Sequence, residues 1–336
     1  MLTILRCNTE SKDHDMQRRT VATAHSVGLV ARHNISNARG QRILAKGRVI
    51  TPADVEILLA QQIYSIDVVQ YDVDDIDEHT AAALVATRCS ATGVVIRPPH
   101  HGRVDVHAAS DGVIIVDDAQ LAAWHMIAGV TIATMRSGSG VRRGQRIATI
   151  KILPFALPQH ALRETPAPAL RQVAYHETRV AVIIIGDTAV WERLHRTHLT
   201  ALWARLRAFP TVALAVHHVQ ADVVEVTTRM RQLAHVDLVI TLSETSIMDD
   251  SDVVPQSVQD AGGVLTCYGA PVEPGNLLLL GQIGRTMVIG APGCIRSMAR
   301  NVIDLILPRL FARISLSAAD VYALANGGLL GTEDAS

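Results

Sequence analysis

Val180-Ala-Val-Ile-Ile-Ile-Gly-Asp-Thr188 is an unbroken apolar run that stops at a Gly-Asp-Thr turn. A strand without polar alternation is expected where both faces of a sheet are covered, as in parallel sheets. Val212 to Val216 and Val236 to Leu242 repeat the pattern. Between these runs the chain reads as helix. Val190, Leu194, Leu202 and Leu206 keep one face at four-residue spacing. Asp222 with Glu225 gives a capping-box-like start to a second helix, ending near Ala234. This alternation predicts an α/β, three-layer parallel-sheet domain with right-handed crossovers.

The third run opens a stretch, Thr241 to Ser297, dense in Ser, Thr, Gly, Pro and Asp. Its loop Ser243-Glu-Thr-Ser-Ile-Met-Asp-Asp-Ser-Asp252 leads to a short helix, Val253 to Ala261, stopped by Gly262-Gly263. Pro274-Gly275-Asn276 precedes a strand expected over Leu277 to Leu280. Gly290-Ala-Pro-Gly-Cys-Ile-Arg-Ser297 is expected at the start of a long helix, Ile295 to Ala312, burying Val302, Leu305, Ile306 and Leu310. Ser317, three residues before Asp320, caps a last short helix closed by Gly327-Gly328. These loops should share the carboxyl edge of the sheet, where open α/β sheets bind ligands.

Upstream the signal differs. Residues 1 to about 20 are polar and expected to fray. Thr51, Pro52 and Asp54 mark a helix start, and Ile66 to Val69 a strand. Asp72 to Glu78 reads as a solvated linker or helix start rather than a metal cage. Short Gly-punctuated strands between 90 and 153, with a helix near Ala119 to Ile127, suggest a β-rich module. Four prolines mark 154–175 as a linker between that module and the α/β domain, taken as 176–312, with 313–336 as helix and tail. The segment 1–75 forms the front of the chain.

Composition narrows the function classes. The 336 residues are 49% hydrophobic but only 3% aromatic, so Val, Ile, Leu and Ala must build the core. With 31 basic and 32 acidic residues the formal net charge is -1, which offers no basic field for nucleic acid or anionic membranes. Cys7, Cys89, Cys267 and Cys294 form no CxxC, and neither a signal peptide nor a membrane span is evident. A cytoplasmic setting is the expectation.

Three loops carry candidate chemistry. Ser243, Thr245 and Ser246 supply hydroxyls beside a helix start, which suits a phosphate or polar heterocycle. Asp249, Asp250 and Asp252 would repel an anion unless Mg2+ bridged them, although Asp252 also fits as the helix cap. Gly290 and Gly293 allow close approach to the backbone, and Cys294 at a helix start should have an acidified thiol. No histidine is placed beside Cys294, which argues against a nucleophile. His100-His101 and His217-His218 are adjacent pairs, and neighbours on a strand point to opposite faces, so neither pair is read as a chelate. GxGxxG after a strand, P-loop and GxSxG patterns are absent.

Residues 176–312 resemble the molybdopterin-binding fold of molybdopterin molybdenumtransferases and adenylyltransferases. The likeness lies in Val180–Asp187, Asp237-Leu-Val-Ile240 and its loop, Pro274-Gly275 and Gly290-Ala-Pro-Gly293. The front segment, with Ala24-His25-Ser26 and Gly47-Arg-Val-Ile-Thr51, also looks like a molybdenumtransferase start. Closer still is the molybdopterin-binding half fused to cytidylyltransferase-type nucleotidyltransferases, through Asp252-Val-Val-Pro255, Ala261-Gly-Gly263, Pro274 to Gly281 and Gly290 to Cys294. The resemblance implies molybdopterin or a molybdopterin dinucleotide as ligand, held by Ser243, Thr245, Ser246, Pro274, Gly275, Asn276, Gly290, Gly293 and Cys294. Asp187 and Asp252 are the implied catalytic candidates and weak Mg2+ contacts. It also implies a role in molybdenum-cofactor biosynthesis or delivery, with a nucleotidyltransferase or molybdo-hydroxylase as partner and a homo-oligomer allowed. The alternatives are a molybdenumtransferase acting on adenylylated molybdopterin and a non-catalytic scaffold.

Three departures bear on catalysis. A Thr-Thr-Gly-Gly stretch is here Thr241-Leu-Ser-Glu244, and Thr-Gly-Asp-Glu-Leu is Ile185-Gly-Asp-Thr-Ala189. Lys-Pro-Gly-Lys-Pro becomes Glu273-Pro-Gly-Asn-Leu277, which removes two cations suited to phosphate.

Overall fold

The computed structural model describes residues 17–244, 247, 249 and 251–331. Thr245, Ser246 and Asp250 therefore lie outside the described residues. The chain divides into two compact units. The first comprises Met1–Ala109, Val116–Met135 and Gly144–Arg171; the second comprises Ser110–Ile115, Arg136–Arg143 and Gln172–Ser336.

The first unit begins with an antiparallel sheet in which Ser65–Gln70 lies between Gln17–Ala22 and Val30–Ala31. The expected fraying thus does not extend to residues 17–20. Thr51 and Asp54 close a capping box on the helix Pro52–Ala60, which buries Val55 and Leu58 against Ile66 and Val68. Asp54 is 3% exposed and paired with Arg48 at 2.9 Å. Burial pushes its carboxyl pKa up, but the Thr51 hydrogen bonds and Arg48 outweigh that and hold it low.

Asp77 caps a helix, Glu78–Cys89, by accepting from the amides of His79 and Thr80. Ala81, Ala82, Val85, Ala86 and Cys89 form its buried face. A four-stranded antiparallel sheet runs in the order Val130–Thr134, Arg146–Ile152, Arg103–Ala108, Val94–Ile96. The proline-marked stretch is not bare chain: Ala156–Pro158 pairs with Asp75–Asp77, and Gln159–Leu162 forms a 3-10 turn.

The second unit is α/β with a mixed six-stranded sheet. Its strands are β1 (Thr178–Ile185), β2 (Thr211–Val219), β3 (Leu238–Ser243), β4 (Val264–Tyr268), β5 (Leu279–Ile283) and β6 (Thr286–Gly290). The spatial order is β2-β1-β3-β6-β5-β4. The β2/β1, β1/β3 and β3/β6 pairs are parallel, whereas β6/β5 and β5/β4 are antiparallel. The sheet expected to be parallel throughout therefore has an antiparallel edge, created by the tight β5–β6 connection.

Helices α1 (Thr188–Leu194), α2 (Thr200–Leu206), α3 (Val223–Gln232), α4 (Val253–Asp260), α5 (Val302–Phe311) and α6 (Ala318–Tyr322) complete the unit. Alternate strand residues feed two cores. Val180, Val182 and Ile184 pack with Leu202, Leu206, Ile306 and Phe311. Ala181, Ile183 and Ile185 pack with Val226, Met230, Val254 and Val258. Burial of both faces is why the strands read as unbroken apolar runs.

The helix expected from Ile295 begins instead at Val302. Gly293–Arg296 is only a 3-10 turn, and Asn301 with Asp304 closes the capping box of α5. Arg205, 7% exposed, holds the intervening chain: its guanidinium donates to the carbonyls of Ile295 (3.2 Å), Ser297 (2.8 Å) and Ala299 (3.0 Å). It also donates to the Asp304 carboxylate at 2.9 Å. Those carbonyls are therefore committed to a side chain rather than to a helical ladder.

Candidate functional site

β1 leads to β2 on one side of itself and, by way of α3, to β3 on the other. That reversal is a topological switch point, where the loops leaving the carboxyl ends of the strands part and leave a crevice. The parallel register pairs Ile185 with both Val219 and Ser243, so three strand ends finish level. A cleft of about 440 Å3 opens there, within the ~300–1,000 Å3 usual for small-molecule sites.

Asp187, Gln220, Ser243, Glu244 and Asp252 form its polar lining, and Val190, Ile247, Val253 and Val254 its apolar part. Asp187 caps α1, its Oδ1 accepting from the Val190 amide at 2.9 Å. Gln220 is fixed through its backbone, whose N–H donates to the Glu225 carboxylate at 3.0 Å. Asp252 stands at the N-cap of α4, but its side chain does not cap the helix; its Oδ2 accepts from the Asp249 amide at 3.1 Å. Glu244 pairs with Arg193, both of them well exposed. Among the described residues, the cleft lining includes three carboxylates and no Lys or Arg. Such a surface accepts hydrogen bonds from N–H-rich heterocycles and disfavours bare phosphate.

Asp187, Ser243 and Asp252 are thus brought together; the remaining described candidates line other places. Pro274 accepts from the Val302 amide at 3.1 Å through its carbonyl. Gly275 has φ +127°, and a Cβ there would stand 2.4 Å from Val302 Cγ1, so the loop is pressed onto the start of α5. The Asn276 carbonyl accepts from the Ala270 amide at 2.9 Å. Gly290 lies beneath the cleft: a Cβ would meet Ile247 Cδ1 at 2.4 Å. Ile247 in turn is tethered by the Tyr268 hydroxyl, which donates to its carbonyl at 3.2 Å.

Gly293 and Cys294 belong to the 3-10 turn, where the Asn301 side chain donates to the Cys294 carbonyl at 3.4 Å. The Cys294 thiol is not acidified as expected. Burial and the Glu273 carboxylate raise its pKa, and the opposing field of Arg205 does not offset them. The helix start that should have lowered it lies further along the chain, at Val302.

Gln220, Ala221 and Ile247 are lining residues that sequence reasoning did not single out. Gln220 follows a strand end with no motif around it, and its only signal is its place between Val219 and the Asp222 cap.

Fold and cleft together define an α/β domain with a candidate site at the carboxyl edge of its sheet. Residues 181–312, well under half of the chain, match the family model described as a probable molybdopterin binding domain. No curated protein matches the chain. Among solved structures, the chain is similar to a molybdenum cofactor biosynthesis protein from Pyrococcus furiosus, at 11% identity and a TM-score of 0.27. That alignment covers 90% of this chain and 66% of the other, so the chain spans just under two thirds of that relative's length. A molybdopterin biosynthesis MoeA protein from Pyrococcus horikosii is 11% identical over 89% of this chain and 75% of its own, with a TM-score of 0.31. A molybdopterin biosynthesis protein from Mycobacterium abscessus is 16% identical over 41% of this chain and 94% of its own, with a TM-score of 0.29. At these scores the likenesses carry no functional weight. Among the described residues, no helix is long and apolar enough to cross a membrane.

Proposed function

We propose that the chain binds a molybdopterin species in the cleft at the β1/β3 switch point and acts in molybdenum-cofactor biosynthesis or delivery. The observation that carries this reading is the meeting of Asp187, Ser243 and Asp252 in one crevice of the domain that matches the family model. The amino group and ring N–H donors of a pterin would find acceptors in Asp187, Glu244 and Asp252, with the Ser243 hydroxyl as a further partner. Thr245 and Ser246 would belong to the same loop. Gly290 supports the cleft from below, while Pro274, Gly275, Asn276, Gly293 and Cys294 would serve a longer ligand, such as a dinucleotide, if it reached their loops.

A nucleotidyltransferase or molybdo-hydroxylase is the proposed acceptor. Mg2+ would be held through Asp187 Oδ2 and Asp252, because Asp187 Oδ1 already caps α1. Stabilising a leaving phosphate requires charge placed beside it, and among the described residues the cleft lining offers no Lys or Arg for this. The proposal is therefore binding with little dependence on Mg2+, and no metal insertion.

The test is incubation with adenylylated molybdopterin, molybdate and Mg2+, followed by chromatography. Retained pterin without AMP release is the expected result. Stoichiometric AMP release that disappears in Asp187→Ala or Asp252→Ala would instead establish a molybdenumtransferase.

A further inference from the structure

The first unit contains a constellation that the cleft does not use. Glu78, His79 and His101 present donor atoms that all lie within 4.8 Å of one another. Ligands around a zinc ion at ~2.1 Å are ~3.5 Å apart, so a rotamer adjustment at the exposed His101 would close the set. We propose that these three side chains form a binding site for a divalent transition ion of the zinc class, with a fourth position left to water or an outside ligand.

Two of the donors are fixed by their helix. Glu78 and His79 open the helix Glu78–Cys89, and Asp77 accepts from the His79 amide at 2.9 Å. The third comes from a tight turn closed by reciprocal backbone bonds between His100 and Arg103, at 2.8 and 3.0 Å. His101 has φ +48°, a left-handed conformation that non-glycine residues seldom adopt. Beside it, a Cβ on Gly102 would lie 2.7 Å from Glu78 Oε2. The turn is thus pressed directly against the Glu78 carboxylate, whose side chain is only 14% exposed.

The histidine chemistry suits a metal. His79 Nε2 accepts from the His101 amide at 3.1 Å, which places the neutral ring's proton on Nδ1. Nδ1 lies 3.7 Å from Asp77 Oδ1 and 3.9 Å from Glu78 Oε1. A metal taking the place of the His101 amide at Nε2 would leave Nδ1–H 3.7 Å from the Asp77 carboxylate, a small shift from the outer-shell arrangement common to histidine ligands. A cation already occupies the neighbourhood: Lys151 Nζ is 3.7 Å from Glu78 Oε2 and donates to the His101 carbonyl. At 38% exposure that side chain is free to swing into solvent when a dication arrives. Two imidazoles with one carboxylate favour zinc, cobalt or nickel over Mg2+ or Ca2+.

The test uses the full chain, stripped with a chelator and titrated with Co2+, whose visible d–d bands report coordination. The expected result is one equivalent per chain, displaced by Zn2+. The variants are His79→Gln and His101→Asn, the latter because asparagine tolerates a positive φ. Losing even an outer-shell partner costs ~10–100-fold in affinity, so each should bind at least about 100-fold more weakly. Lys151→Met should bind more tightly than the parent, which a merely structural ion pair would not produce. Absence of stoichiometric Co2+ uptake by the parent overturns the site. Undiminished binding by both histidine variants, with native circular dichroism, does the same by locating the ion elsewhere.

Discussion

Two groups of loops in the second unit hold candidate site residues and are placed differently. At the ends of β1 and β3, Asp187, Ser243 and Asp252 turn toward a common cleft. Around the start of α5, Pro274, Gly275 and Cys294 turn toward the protein's own backbone, held by Val302 and Asn301. Glycine and proline report that chain passes close to something. The first group borders an open cleft, and the second lies against the start of a helix. Clearance distinguishes the two, and clearance is a tertiary property.

The contrast is sharpest in Gly275→Ala. A Cβ 2.4 Å from Val302 at φ +127° combines overpacking with backbone strain, together costing about 3 kcal/mol. Urea unfolding should record that loss, while pterin affinity per folded molecule stays within about threefold. Unchanged stability with lost binding would move Gly275 into the ligand site.

Asp252→Asn should behave in the opposite way. Replacing a charged acceptor weakens a ligand hydrogen bond by about 2 kcal/mol, roughly 30-fold in affinity. The exposed helix start should lose less than about 1 kcal/mol. Equal losses in both measurements would make Asp252 a structural residue.

A smaller effect is expected at Cys294. Its pKa is raised, so the thiol stays protonated at neutral pH, and Cys294→Ser should retain binding within about tenfold, ~1.4 kcal/mol. A covalent adduct seen by mass spectrometry would contradict this.

The weakest expected effect is a pH dependence. Burial, then Arg229 and His218, lower the pKa of His217 below 6.5, and its buried Nε2 has no hydrogen-bond partner. The unfolded chain therefore takes up a proton before the folded one does. Stability is full above pH 6.5 and declines as pH falls from there toward the folded pKa. His198 adds to the same trend, its pKa lowered by burial and then by Arg296 and Arg193. Melting temperatures between pH 7.5 and 5 should fall less steeply in His217→Leu than in the parent; equal slopes would remove His217 from the account.

Much of this architecture was legible in the chain. Val180–Ile185 announced a strand covered on both faces, and Thr51, Asp222 and Ser317 announced helix starts that each cap as expected. Strand direction was not legible: the apolar run expected as a strand over Leu277 to Leu280 reads equally in either sense, and the observed strand, Leu279–Ile283, is antiparallel only by its pairing with β6. The false helix start at Ile295 has a similar origin. Its apolar spacing is helical, but Arg205, at a sequence separation of 90 residues, takes the Ile295 carbonyl for itself. Ser243 stood out as a hydroxyl in the loop before a helix start, and Asp187 through the family resemblance. The Glu78–His79–His101 cluster did not, because its two parts are separated by 22 residues and meet only through the His100–Arg103 turn.

The most direct test of the cleft compares the pterin retained by the parent chain with that retained by Asp187→Asn combined with Ser243→Ala. Asparagine caps helices about as well as aspartate, so α1 keeps its start and the variant should stay folded. Each protein is purified identically, its folding is checked by circular dichroism, and bound pterin is oxidised and read by fluorescence. The parent should carry pterin, and the folded double variant should carry at most about a tenth as much, ~1.4 kcal/mol or more of lost affinity. Equal pterin in both, or none in the parent even after incubation with molybdopterin, would contradict a ligand site at the β1/β3 switch point.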